Sequence, residues 1–212
     1  MFAAYHSCMR PLGKVKIEWS PEFAYAIGLL VTDGCLYSDG RHIGLVSRDM
    51  EQLFNFLECL GLGNKIGSHT SSTGSSAFKV QFSDVGFYDF LLQIGLMPRK
   101  SKVIGRVKVL EEYFFDFLRG CFDGDGSFYS YWDPRWRSSF MFYTSFASAS
   151  PVHIEWLQGV IQGFLGIKGH IGRSATNSVR QLKYGKAESL ILLPKVYYNP
   201  AVVCLSRKRT KV

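Results

Sequence analysis

Acidic residues are scarce in this chain. Against 25 Lys and Arg stand only 17 Asp and Glu in 212 residues, a formal charge of +8 with the five histidines neutral. The sequence pI is near 9.3, the electrostatic footprint of a protein that meets phosphates. Cysteine is sparse too. Cys8, Cys35, Cys59, Cys121 and Cys204 form an odd, scattered set without paired metal spacing, which argues against zinc and for a reducing compartment. Cys121 reads as a small core residue. Long apolar runs are missing. Met1–Ser20 is broken by Arg10, Pro11, Lys14 and Lys16, so no secretory signal is expected, and no stretch suits a bilayer span. An intracellular protein without a membrane partner is the expectation. Hydrophobic residues nonetheless make up 47%, ample for a core in one domain or two half-sized lobes.

Two segments say nearly the same thing. Ala26-Ile27-Gly28-Leu29-Leu30-Val31-Thr32-Asp33-Gly34 and Leu118-Arg119-Gly120-Cys121-Phe122-Asp123-Gly124-Asp125-Gly126 are apolar helical runs, each with glycine third and each closing on Asp-Gly. Asp125 follows Asp33 by 92 positions, a little under half the chain, so one unit is written twice. Positions four apart share a helix face: Ala24, Gly28 and Thr32 form one smooth stripe, Gly120 and Gly124 another. Glycine within a helix costs roughly 1 kcal/mol against alanine, and close approach of a partner helix is the reason to keep Gly28 and Gly120. Helices packed on those stripes bring Asp33 and Asp125 out together.

That end suits carboxylates badly. A helix C-terminus carries partial negative charge and two adjacent carboxylates repel, so something positive belongs there. Mg²⁺ commonly takes one or two protein carboxylates and completes its shell with water and phosphate, the arrangement used for in-line attack on phosphodiesters. A single Asp-Gly would mean only a helix stop and a turn, as at Asp39-Gly40. Two copies in matched context favour the metal.

Both copies resemble the motif of the LAGLIDADG homing endonucleases. The resemblance implies a monomer that cuts double-stranded DNA with Mg²⁺ or Mn²⁺, held by Asp33 and Asp125 with the adjoining Gly34 and Gly126. Its first motif departs from the family at Val31, where an acid is usual. Asp123 keeps that acid and is read as structural.

The elements after each motif also repeat. The first half reads as a hairpin (35–38 and 41–47), a helix over 49–60 with Asp49 near its N-cap, a second hairpin (65–70 and 78–82) around the loop 71–76, and a helix over 87–94. The second half reads as strands 127–132 and 138–148, a helix over 152–165, strands 170–173 and 180–184, and a helix over 188–197. Each half is therefore α-β-β-α-β-β-α. The fold class is α+β, with repeats 1–110 and 111–212 packed through the motif helices to form a DNA-binding β-saddle, as the resemblance implies.

Basic segments close each half: Met97-Pro98-Arg99-Lys100-Ser101 and Leu205-Ser206-Arg207-Lys208-Arg209. By position in the family, Lys100 and Lys208 would stabilise charge at the scissile phosphates or polarise the attacking water. Arg48, in Val46-Ser47-Arg48-Asp49, would likewise reach the active site. Its counterpart Ser148-Ala149-Ser150 has no long polar side chain, so unequal cutting of the two strands is expected.

A sheet can enter the major groove and present alternate residues to base edges. Alternation nominates Tyr37, Arg41, Lys65, Ser68, Thr70, Lys79 and Gln81 in the first half. In the second it nominates Tyr129, Tyr131, Arg135, Arg137, Tyr143, Ser145, Arg173, Arg180 and Lys183. The set lacks acids. Two saddles span about 20 bp, given ~10 bp per turn. With the family resemblance, the expectation is a site-specific endonuclease on a long asymmetric target, cutting across the minor groove; the four-base 3′ overhangs are what the resemblance implies. An intron RNA maturase and a non-catalytic DNA-binding regulator on the same fold are the alternatives.

Overall fold

The computed structural model describes residues 13–70, 74–173 and 179–211. Cys8, the first part of the Met1–Ser20 segment and Ser71–Thr73 of the second-hairpin loop lie outside them. Helix α1 (Pro21–Thr32) starts where Ser20 accepts the Phe23 N–H and Pro21 supplies a preset φ, and it ends at Asp33. It is followed by β1 (Gly34–Leu36), β2 (His42–Ser47), α2 (Met50–Cys59), β3 (Gly67–Thr70), β4 (Ser76–Ser83) and α3 (Val85–Ile94). The second half repeats the order as α4 (Phe114–Asp125), β5 (Ser127–Trp132), β6 (Phe140–Ser148), α5 (Pro151–Leu165), β7 (His170–Arg173), β8 (Arg180–Tyr184) and α6 (Lys186–Val196). A short helix α7 (Ser206–Arg209), not foreseen in the sequence, follows.

Each half carries one antiparallel four-stranded sheet, ordered β1-β2-β4-β3 and β5-β6-β8-β7. The same permutation in both halves is the repeat expressed in three dimensions. One face of each sheet is apolar and buried. Ile43 and Leu45 on β2 lie opposite Phe82 and Val80 on β4, and Phe146 on β6 lies opposite Leu182 on β8, all buried. The other face is open. Segment boundaries moved by a residue or two at most elements: β3 begins at Gly67, not 65, and β6 at Phe140, not 138. Asp49 is the N-cap of α2 but makes no capping bond with its side chain. No described helix is long and apolar enough to cross a membrane.

Candidate functional site

Helices α1 and α4 touch backbone to backbone. A Cβ on Gly28 would stand 2.2 Å from the Phe117 carbonyl oxygen and 2.8 Å from the Gly120 Cα; one on Gly120 would stand 2.1 Å from the Tyr25 carbonyl oxygen and 2.9 Å from the Gly28 Cα. No side chain fits, which is why both helices accept glycine. The contacts obey the 92-residue repeat, since Tyr25 corresponds to Phe117 and Gly28 to Gly120. Farther along, Thr32 meets its own equivalent, Gly124, where a Cβ would lie 1.9 Å from the Thr32 Oγ1 and 3.1 Å from the Asp33 Oδ2.

Asp33 and Asp125 therefore finish side by side at the C-terminal ends of two helices in contact. Burial, then the Asp125 charge, raise the Asp33 pKa from 3.8 to about 6. Asp125 keeps an exposed edge, but the protein around its carboxyl desolvates it and raises its pKa too. Gln52, a buried residue of α2, donates from Nε2 to the Asp33 Oδ2 at 2.6 Å and accepts the Ser47 hydroxyl at 2.9 Å.

The positive charge expected at the helix ends is supplied by lysines. Lys100 follows Arg99, the one described non-glycine residue with positive φ (56°), and its buried ammonium donates to the Gly34 carbonyl at 2.5 Å. Lys208, on α7, donates to the carbonyls of Phe122 (2.5 Å), Gly124 (3.0 Å) and Gly126 (2.7 Å). Three N–H groups meet three acceptors, so Lys208 has no proton left to offer another group. Burial lowers both lysine pKa values, that of Lys208 to about 8, while the aspartates oppose the change. The Gly34 and Gly126 carbonyls, expected as metal ligands, are thus each engaged by an ammonium.

No family model matches the chain. An uncharacterized protein of Methanocaldococcus jannaschii is 32% identical over 126 residues, 55% of this chain. The chain spans 44% of the length of that curated relative. Among solved structures, the N-terminal LAGLIDADG domain of DUF199/WhiA superposes with a TM-score of 0.57 at 16% identity, over 92% of this chain and 89% of the other. The homing endonuclease I-WcaI bound to its DNA recognition sequence gives 0.60 at 10% identity, covering 91% and 88%. The meganuclease I-SmaMI bound to uncleavable DNA gives 0.59 at 13%, also covering 91% and 88%. The chain has the LAGLIDADG fold.

Within that fold the two acids open onto different surroundings. Beside Asp33 is a cleft of about 690 Å³ lined by Val46, Arg48, Gln52, Phe78 and Arg207, with Arg48 exposed at its edge and Arg207 paired to Asp49 at 2.5 Å. Beside Asp125 is a smaller cavity of about 290 Å³ lined by Val31, Thr32, Ser101, Cys121, Ala149 and His153. Gln52 and His153 hold equivalent places, each third after the N-cap of its helix, Asp49 or Ser150. Burial lowers the His153 pKa, and its Nδ1 pairs with the Gly105 carbonyl oxygen at 2.8 Å. Sequence reading missed both residues. The signal was there for Gln52: it lies four before Phe56, on the apolar stripe of α2, where a polar residue needs a reason.

Asp123 has a clear occupation. Fully buried, it accepts the Tyr25 hydroxyl (2.8 Å), the Leu205 N–H (2.7 Å) and the Tyr197 hydroxyl (3.3 Å), which anchors the segment leading to Lys208. Another unforeseen residue, Arg119, lies fully buried in the motif helix and donates to Asp116 and to the Val203 and Val196 carbonyls.

Strand register sorts the sixteen residues nominated for base contact. Lys79 and Gln81 lie opposite Val46 and Gly44 on the open face, and Tyr37 follows β1 onto it with its ring 5.3 Å from the Lys79 ammonium. Tyr129, Tyr131, Tyr143, Ser145 and Lys183 share the open face of the second sheet. Four nominations are corrected. Ser68 pairs with Phe78, in phase with buried Val80 and Phe82, and Thr70 pairs with Ser76 in the same phase. Arg173 and Arg180 pair with each other, in phase with Ile171 and buried Leu182. A shift of one residue moves a side chain to the opposite face, and strand β3, Gly-Ser-His-Thr, contains no apolar residue to fix its phase. Arg41, Lys65, Arg135 and Arg137 lie in connections outside the strands, and Arg135 is bound to Asp133.

Proposed function

We propose that the chain binds double-stranded DNA across its two open sheet faces and hydrolyses one phosphodiester on each strand at the Asp33–Asp125 pair. The observation that carries this reading is the pair itself: two carboxylates forced together by a glycine contact, where burial first and the Asp125 charge second raise the Asp33 pKa to about 6. Nothing in folding requires that repulsion. The DNA partner is supported by I-WcaI and I-SmaMI, which carry DNA on this fold.

The donor set suits Mg²⁺ or Mn²⁺. Among the described residues no group of three His, Cys, Asp or Glu side chains converges, and two carboxylates completed by water and phosphate are what a hard, strongly hydrated cation takes. Such an ion supplies Lewis-acid stabilisation to a phosphodiester under attack by water. Gln52 fixes the Asp33 carboxylate through its 2.6 Å bond. Lys208 contributes field alone, because its protons are committed; Lys100, with one bond drawn to Gly34, keeps two N–H groups for a phosphate or a water. Arg48 stands at the edge of the cleft to meet the backbone of one strand. Acids on the axis between two groove-bound sheets would address phosphates facing across a minor groove, offset in the 3′ direction, on a target of about 20 bp, with ~10 bp per turn; the resemblance to LAGLIDADG endonucleases implies that the overhang is four bases.

One observation favours a second reading, DNA binding without cleavage. Lys100 and Lys208 already offset two carboxylate charges, so the pair is tolerable without an ion. Cleavage of a randomised duplex library with Mg²⁺, followed by sequencing of the ends, separates the two. Four-base 3′ overhangs that vanish with EDTA, and with Asp33→Asn or Asp125→Asn while binding survives, support hydrolysis at this pair. Selective binding with no cut strand under Mg²⁺ or Mn²⁺ supports the second reading. Blunt ends, or cutting in excess EDTA, overturn the metal assignment.

A further inference from the structure

The two open sheet faces differ in a way that duplex binding does not explain. In the first half, register puts Cys35, His42, Lys79 and Gln81 on that face, and its ring, Tyr37, lies under the Lys79 ammonium. In the second half, Tyr129, Tyr131 and Tyr143 occupy the face, and with Ser145, Gln181 and Lys183 they line a concavity of about 480 Å³. The rings form a continuous ladder. Tyr129 and Tyr131 have centroids 5.5 Å apart, while Tyr131 and Tyr143 stack at 6.3 Å with 15° between planes. Tyr129 is 63% exposed.

The charge around the ladder is positive. Lys183 borders it directly. Asp133, the acid just beyond β5, is held by the Arg135 guanidinium at 3.1 Å. An anion with aromatic faces fits this surface. In a paired duplex each base covers the faces of its neighbours and offers only edges and phosphates. Unpaired bases offer whole faces, and stacking on aromatic side chains is how strands without pairing are held.

We propose that the tyrosine face of the second sheet binds an unpaired segment of DNA, with bases stacked on Tyr129 and Tyr131 and the backbone drawn to Lys183. The proposal rests on the DNA-binding reading above but not on cleavage. The target would then be opened, bulged or mismatched on the side of the second half.

Fluorescence anisotropy in EDTA tests it on four labelled probes of matched sequence: a paired duplex, that duplex with a short unpaired loop in one half, the free DNA strand, and the RNA strand. The loop-bearing duplex should bind tighter than the paired one. Tyr129→Leu and Tyr131→Leu should each weaken binding of unpaired DNA about 5- to 100-fold, and by a larger factor than they weaken binding of paired duplex, whereas Tyr129→Trp retains affinity. Lys183→Ala should weaken every probe alike and lower the salt dependence. Melting curves check that the surface variants stay folded. Equal affinity for paired and loop-bearing duplex, or equal losses on both in the leucine variants, would overturn the stacking face and leave duplex binding intact. RNA bound in preference to unpaired DNA would overturn the choice of DNA. No binding of any DNA probe would refute the underlying DNA reading as well.

Discussion

If repulsion and burial at the axis are real costs, neutralising Asp33 should make the protein more stable. The rise of the Asp33 pKa from 3.8 to about 6 amounts to roughly 3 kcal/mol at ~1.36 kcal/mol per tenfold change in proton affinity. Solvent reaches the carboxyl through its cleft, so about 1 to 2 kcal/mol is the expected yield. For a chain of this length that is roughly 3 to 6 °C in Tm. The pH window follows from the sign. Below about pH 4 folded and unfolded chains both hold the proton and wild type should match Asp33→Asn; between about 4 and 6 the unfolded chain releases it first, so wild type falls behind; above 6 the gap is constant. Because Asp125 is the second cause of the shift, the window should narrow in an Asp125→Asn background. Thermal denaturation from pH 4 to 8 without divalent ions reads all of this, and added Mg²⁺ should close the gap by stabilising wild type alone. An Asn variant that melts at or below wild type at pH 7, or a gap independent of pH, would refute the reasoning.

Gly28→Ala and Gly120→Ala should each destabilise by about 3 kcal/mol or more in urea denaturation, because a carbonyl 2.1 to 2.2 Å from the new methyl outweighs the roughly 1 kcal/mol gained in helix propensity. Lys208→Met should cost about 2 to 4 kcal/mol by the same measurement, since it strips three carbonyls of their donor, and Asp123→Asn should lower stability despite its raised pKa because the carboxylate accepts three bonds. Duplex affinity should fall steeply with salt, with a slope of log K against log salt near −0.9 for each of ~6 to 10 phosphates, and a shallow slope in a salt titration would contradict a phosphate-tracking groove.

What the sequence revealed and what it hid divide along a physical line. The glycine stripes, the paired acids and the strands Ser127–Trp132, His170–Arg173 and Arg180–Tyr184 were legible because each is set by local periodicity or by a repeat within the chain. The facing of Ser68 and Thr70 was not, because β3 is paired entirely by backbone bonds to β4 and has no apolar residue to declare its phase. Arg173 was decipherable: it lies two positions from Ile171, and a strand period of two puts both on one face. The lysines were found, but not the carbonyls they bind. A basic residue in a tail says nothing of where its ammonium ends, and only the packing of α7 against the end of α4 delivers Lys208 to three carbonyls.

The same line explains where the two halves may differ and where they must agree. On the pseudo-two-fold axis each position meets its own equivalent, so Gly28 against Gly120 leaves no freedom for either partner. One turn on, the symmetry is broken in a compensated way, since Thr32 fills the space that a side chain at 124 would need. Away from the axis the constraint lapses. Val31 has no polar task, whereas Asp123 ties down Leu205 and so the helix that carries Lys208; Gln52 bonds Asp33, whereas His153 turns its Nδ1 to the Gly105 carbonyl. Arg48 stands by one acid and Ala149 by the other. A fused repeat can keep its shared axis fixed by sterics while each half adapts its own cleft, because no side chain outside that axis has to pack against a copy of itself. Two identical halves could face only a symmetric partner. Divergence of the clefts and of the open sheet faces makes the two sides of this chain chemically different.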